Sequence, residues 1–82
     1  MRKYIVIERF RPDCWDAVYQ RFDDKGRMLP DGLHYLNSWA NQERMVCYQL
    51  METTSPDLFS VWFEHWTDLI DFEVVEIDHV ET

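Results

Sequence analysis

Two glycines among 82 residues leave no phosphate-cradling loop, because such loops need closely spaced glycines to wrap backbone N–H groups around an anion. Basic residues are scarce as well: eight Lys and Arg face sixteen Asp and Glu, for a net charge of −8. Nucleic-acid binding needs clustered Lys and Arg, so no nucleic-acid partner is expected. The acidic excess reads as a solubility feature. The two cysteines, Cys14 and Cys47, are far apart and form no CxxC motif. They read as buried thiols in a reducing cytoplasm, not as a disulfide or a zinc pair. The three histidines are equally dispersed, so no metal site and no cofactor is expected. Ser38 has no Gly-x-Ser-x-Gly setting and suggests no nucleophile elbow. No apolar run approaches the roughly 20 residues of a membrane span, and no membrane partner is expected. Met1-Arg2-Lys3 leads into a strand pattern, with no sign of a signal peptide.

Aromatic residues are plentiful: four Trp, four Tyr and five Phe. Each ring can bury roughly 150–250 Å², so a single short domain over residues 1–82 can still build a core. A domain this small often gains stability by pairing with a copy of itself.

Residues 3–10, KYIVIERF, are β-branched and aromatic and predict a strand ended by Pro12. Asp13 is placed to cap a helix whose stripe is Cys14, Val18 and Phe22, with Gly26 at its C-terminal end. Pro30-Asp31-Gly32 is a turn: proline presets φ and glycine accepts a positive φ. Residues 33–40 predict an edge strand, and Asn41-Gln42-Glu43 a polar hairpin loop. Residues 44–52, RMVCYQLME, predict a central strand. Ser55-Pro56-Asp57 signals a helix start, and Leu58, Phe59, Trp62, Phe63, Trp66 and Leu69 keep a helical stripe after it. Residues 70–77 return to a strand pattern, and 78–82 are an acidic tail whose His79 is given no role.

The order β-α-β-β-α-β predicts a ferredoxin-like α+β fold. Right-handed crossovers give an antiparallel sheet of order 4-1-3-2 with both helices on one face. A buried amide against packed helices needs its hydrogen bonds satisfied. Gln49 is therefore assigned to the helix-free face with Glu8, alongside Tyr4, Val6, Phe10, Cys47 and Met51, while Val46, Tyr48 and Leu50 are assigned to the helices. A helix-free face that apolar calls for a cover, and a second copy packed sheet to sheet would make a dimeric α/β barrel.

The segments YIVIERF, AVYQRF, GRMLPDGLHYLNSW, CYQLMET and LFSVWFEHWTDLIDFEVV span nearly the whole chain. Together they resemble a small bacterial family of unknown function, the one numbered 3303. The resemblance implies a ferredoxin-like fold of the dimeric α/β-barrel type and no established activity. The broader fold is similar to that of muconolactone isomerases, small cofactor-free monooxygenases and stress-response barrel proteins, but fold alone does not transfer function.

Several residues compete for a chemical role. Glu8 and Gln49, on adjacent central strands, can face one enclosed space, where a carboxylate among apolar groups has a raised pKa and can carry protons. The competing and plainer reading is a hydrogen-bonded structural pair, including one across a dimer. His34, just after the turn, is either a proton carrier at a barrel mouth or an edge-strand surface residue. Tyr35, Trp39, Tyr48, Trp62 and Trp66 either line a pocket for a planar ligand or fill the core. Arg27 either meets an anionic ligand or pairs with one of the many carboxylates. His65 reads as a helix-surface residue, and Glu52 as a helper of the following helix start or a partner for an arginine.

Two functions follow. One is a homodimeric barrel binding a small apolar or aromatic molecule on the helix-free side of the sheet, able to act as a cofactor-independent enzyme through Glu8 and His34, with Gln49, Tyr35, Trp39, Tyr48 and Arg27 around the ligand. The other is a non-catalytic dimerisation module with a side-chain-filled interior. A cavity of about 300 Å³ or more beside Glu8 and Gln49 separates them.

Overall fold

The computed structural model describes residues 1–78, so His79 and the rest of the acidic tail beyond Asp78 lie outside the described residues. The chain runs β1 (Arg2–Phe10), α1 (Trp15–Lys25), β2 (Leu33–Asn41), β3 (Val46–Thr53), α2 (Leu58–Phe63) and β4 (Ile70–Ile77). The four strands form one sheet in the order β2-β3-β1-β4, with every pairing antiparallel. This is the expected 4-1-3-2 order read from the other edge, and the fold is α+β and ferredoxin-like. No helix among the described residues is long and apolar enough to cross a membrane.

The punctuation is partly as expected. Gly26 ends α1 with a φ of 70°, and its N–H donates to the Phe22 carbonyl at 2.7 Å. Gly32 takes a φ of 94° in the turn after Pro30. The helix starts differ. Asp13 does not cap α1; it adopts a φ of 64°, which aspartate tolerates, and Cys14 takes the cap position with no side-chain bond. Ser55 does not cap α2 through its hydroxyl either. A turn replaces the cap, in which the N–H groups of Leu58 and Phe59 donate to the carbonyls of Ser55 and Pro56. Regular helix stops at Phe63 instead of reaching Leu69, in a segment crowded with aromatic residues of modest helix propensity. Turns carry the stripe onward, with Trp66 N–H donating to Phe63 and Leu69 N–H to Trp66.

The assignment of sheet faces is reversed. Tyr4 meets Phe59 of α2 edge-on at 5.1 Å, and Phe10 lies 4.9 Å from Trp15 of α1. Tyr4, Val6, Glu8, Phe10, Cys47, Gln49 and Met51 are all buried on this helix-covered side. Tyr48 is exposed and Leu50 only partly buried, on the helix-free face. The expectation failed because it kept polar groups away from the helices. The fold instead leaves a cavity there, so Glu8 and Gln49 are not pressed against apolar packing.

One irregularity shapes the edge. Tyr35 pairs with Met51 but Asn37 pairs with Leu50, so Leu36 is an extra residue in β2. In a regular strand, residues three apart face opposite ways. The bulge returns Ser38, three residues after Tyr35, to the same face. There the two hydroxyls bond at 2.7 Å.

Candidate functional site

Between the sheet and the helices lies a cavity of about 220 Å³. Its floor comes from the strands: Glu8, Phe10, Cys47 and Gln49, with Ile70 at the start of β4. Val18, Tyr19 and Phe22 of α1 and the indoles of Trp62 and Trp66 wall it, and Arg27, Ser38 and Ala40 complete the lining. The pairing register accounts for the polar floor. Glu8 stands directly across from Cys47, and Gln49 is the next residue of β3 on that face.

Arg27 follows α1 directly and is held by its own backbone. Its carbonyl accepts the indole N–H of Trp62 at 2.8 Å and that of Trp66 at 3.1 Å. Its guanidinium carbon lies 3.5 Å from the centre of the Tyr35 ring and 5.0 Å from that of Phe22. Its Nε–H donates to the Gln49 side-chain oxygen at 3.2 Å. That bond orients the amide so that its NH₂ group can serve Glu8.

Glu8 is 5 % exposed. Burial raises its pKa from 4.5 to about 7, while hydrogen bonds from Gln49 and Cys47 and the charge of Arg27 pull it back down. Burial likewise pushes the Cys47 thiol up to about 12, with Glu8 adding to the effect. Cys47 therefore stays a thiol at neutral pH and has no nucleophilic thiolate to offer. The Tyr19 phenol is also raised, first by burial and then by Cys47 and Glu8. Glu8 is thus placed to exchange a proton near neutrality, in a space that Arg27 enters as a positive charge.

Of the residues singled out from sequence, the fold brings together Glu8, Gln49 and Arg27, with Tyr35 stacked behind Arg27. The others stand elsewhere. His34 pairs with Glu52 on the opposite face of the sheet. Trp39 pairs with Tyr48 on that same face and is 52 % exposed. Trp62 and Trp66 are both core and cavity wall. Tyr19 and Phe22 of α1 join the site beyond the residues singled out from sequence, and the helical stripe they share with Val18 is the signal that points to them. Among the described residues, no three His, Cys, Asp or Glu side chains come together as a metal-binding group.

The helix-free face has its own pattern. Ile5, Ile7, Trp39, Tyr48, Leu50 and Val75 form an apolar band across the four strands. Lys3–Glu52 closes one end, and Arg9–Glu73 and Arg11–Asp71 the other. The strand charges on this face are thus matched by cations, although the chain as a whole carries −8.

No curated protein matches the chain. The family model for a domain of unknown function, DUF3303, matches residues 2–81, and the chain belongs to that family.

Proposed function

We propose that this domain binds a small, largely apolar or aromatic molecule in the Glu8 cavity and works as a homodimer. The observation that carries the binding proposal is convergence. A carboxyl with a pKa near 7, an amide and a guanidinium meet at one aromatic-walled space instead of being packed away separately. The volume favours a ligand of about one ring. At about 220 Å³ the cavity is smaller than the roughly 300 Å³ at which typical ligand pockets start, though larger than the ~150 Å³ that is enough to hold benzene. At neutral pH Glu8 can give or take a proton, which supports proton transfer on such a molecule without a cofactor.

The partner proposal rests on the other face. A wet apolar band of this kind calls for a cover. Its flanking charges are neutralised within the chain, so an identical copy meets no like-charge repulsion there despite the net −8. A non-catalytic dimerisation module is the second reading, and this same face favours it. Native mass spectrometry of freshly purified protein tests both parts. A dimer carrying a retained small molecule is the expected result. A dimer that stays empty and binds nothing in a fragment screen supports the second reading, and a monomer at micromolar concentration removes the homodimer.

A further inference from the structure

We propose that the ligand of the Glu8 cavity is a small planar monoanion, an aromatic or unsaturated carboxylate, whose acidic group is taken by the terminal nitrogens of Arg27. This rests on the cavity being a ligand site and goes further in naming the charge of the ligand and the group that reads it.

The first ground is the state of Arg27. Arg2, Arg9, Arg11 and Arg21 each hold a carboxylate within the chain. Arg27 and Arg44 do not, in a protein with twice as many acids as bases, and of these two Arg44 is exposed in the hairpin loop while Arg27 is partly buried and lines the cavity. Its Nε is used on Gln49, and no carboxylate among the described residues lies within ion-pair distance of its two terminal nitrogens. Glu8, the carboxyl that shares the cavity, is among those that form no ion pair with it. A guanidinium presents a planar fork of donors that matches a carboxylate in two parallel bonds.

The second ground is its mounting. Two indoles fix its carbonyl, the Tyr35 and Phe22 rings flank its guanidinium, and Gln49 fixes its inner nitrogen. Such a side chain loses little further freedom on binding, so the contact adds to affinity instead of being spent on ordering. The third ground is the surroundings. The walls are mostly aromatic rings and aliphatic groups, which suit a flat apolar body, and apart from the Tyr19 and Ser38 hydroxyls the remaining polar groups sit at the floor. A protonated Glu8 can donate to the same anion from there, which a second carboxylate could not do.

The test uses benzoate and its neutral, nearly isosteric partner benzamide, followed by amide chemical-shift changes on the intact protein. Benzoate is expected to bind, to shift the signals of Gln49 and Cys47, and to bind at least ~10-fold more tightly than benzamide, the worth of a charge-assisted bond. Arg27→Gln is expected to erase that preference by weakening benzoate ~10- to 100-fold with benzamide little changed. Arg27→Lys, which keeps the charge but loses the fork, is expected to restore part of it. Equal binding of the two probes, untouched by Arg27→Gln, overturns the anion assignment and leaves the pocket standing. Binding of neither probe at millimolar concentration overturns both.

Discussion

The guanidinium carbon of Arg27 lies 3.5 Å from the centre of the Tyr35 ring, and this contact ties a charge that lines the cavity to the edge strand β2. The stack exists because of a bulge. Leu36 is the extra residue that lets Tyr35 and Ser38 share the helix-covered face of β2, and the Ser38 hydroxyl then holds the phenol at 2.7 Å. A change in strand register at the edge therefore reaches the charge inside the cavity through one aromatic ring.

Tyr35 substitutions should separate the ring from the hydroxyl. Tyr35→Phe keeps the stack and loses a single exposed hydrogen bond, an expected cost of at most ~1 kcal/mol. Tyr35→Ala removes the ring and the cation–π contact, with an expected cost of ~1–2 kcal/mol. Urea unfolding midpoints measure both. Equal losses from the two variants would mean that the ring contributes nothing beyond its hydroxyl.

Glu8 sets a pH dependence whose sign is fixed by its burial. Its pKa is near 4.5 when ordinary and about 7 in the fold. Between those values the native state holds more protons than the unfolded chain, so stability falls as pH rises through that window and levels off above it. The full span amounts to ~3 kcal/mol. Glu8→Gln should match the wild type near pH 4.5 and exceed it by up to that amount at pH 8. The difference between their unfolding free energies across the pH range isolates this group from the other acids. A flat difference would place the Glu8 carboxyl in water.

The fold was legible because its signals are local and redundant. Alternating β-branched residues in β1, the Pro30-Asp31-Gly32 turn and the aromatic stripe after Pro56 each mark an element, and their order leaves one common topology. The choice of face was not legible by the same means. In β1 and β3 both faces are rich in apolar residues, so periodicity alone does not select one. The deciding facts were long-range: where Phe59 and Trp15 land, and whether a cavity spares Glu8 and Gln49 from apolar packing. The site was half legible for that reason. Glu8 and Gln49 do share one face of adjacent strands, with Arg27 and Tyr35 beside them, but His34, Trp39 and Tyr48 stand on the other side of the sheet. For Arg27 the sequence allows either an internal or an external partner, and its setting among Tyr35, Trp62 and Trp66 is a long-range fact that no local pattern carries.

The two indoles on the Arg27 carbonyl make a testable pair. Trp62→Phe or Trp66→Phe each leaves that carbonyl with one donor, so each single change should cost only what its lost volume and one hydrogen bond are worth, ~1–3 kcal/mol. Together they leave the carbonyl with neither donor. The double variant is expected to cost ~1 kcal/mol more than the sum of the singles, the signature of a shared acceptor. A double-mutant cycle in urea reads this directly, and strict additivity would mean that water replaces the indoles at no cost.

The helix-free face offers the last prediction, and here the control matters as much as the variant. Leu50 lies in the apolar band on central strand β3, partly buried within a single chain. Val61 is 47 % exposed on α2, away from that band. Both accept glutamate without disturbing a tightly packed core. In a sheet-to-sheet dimer, Leu50→Glu introduces a charge from each copy into the buried centre. Association should weaken at least ~100-fold, about 3 kcal/mol. Val61→Glu adds the same charge to the same acidic chain outside the contact, so it should leave the dimer intact. Light scattering at several concentrations measures the mass of each. A monomeric Leu50→Glu beside a dimeric Val61→Glu assigns the interface to this face. If both variants remain dimeric, the copies meet through some other surface.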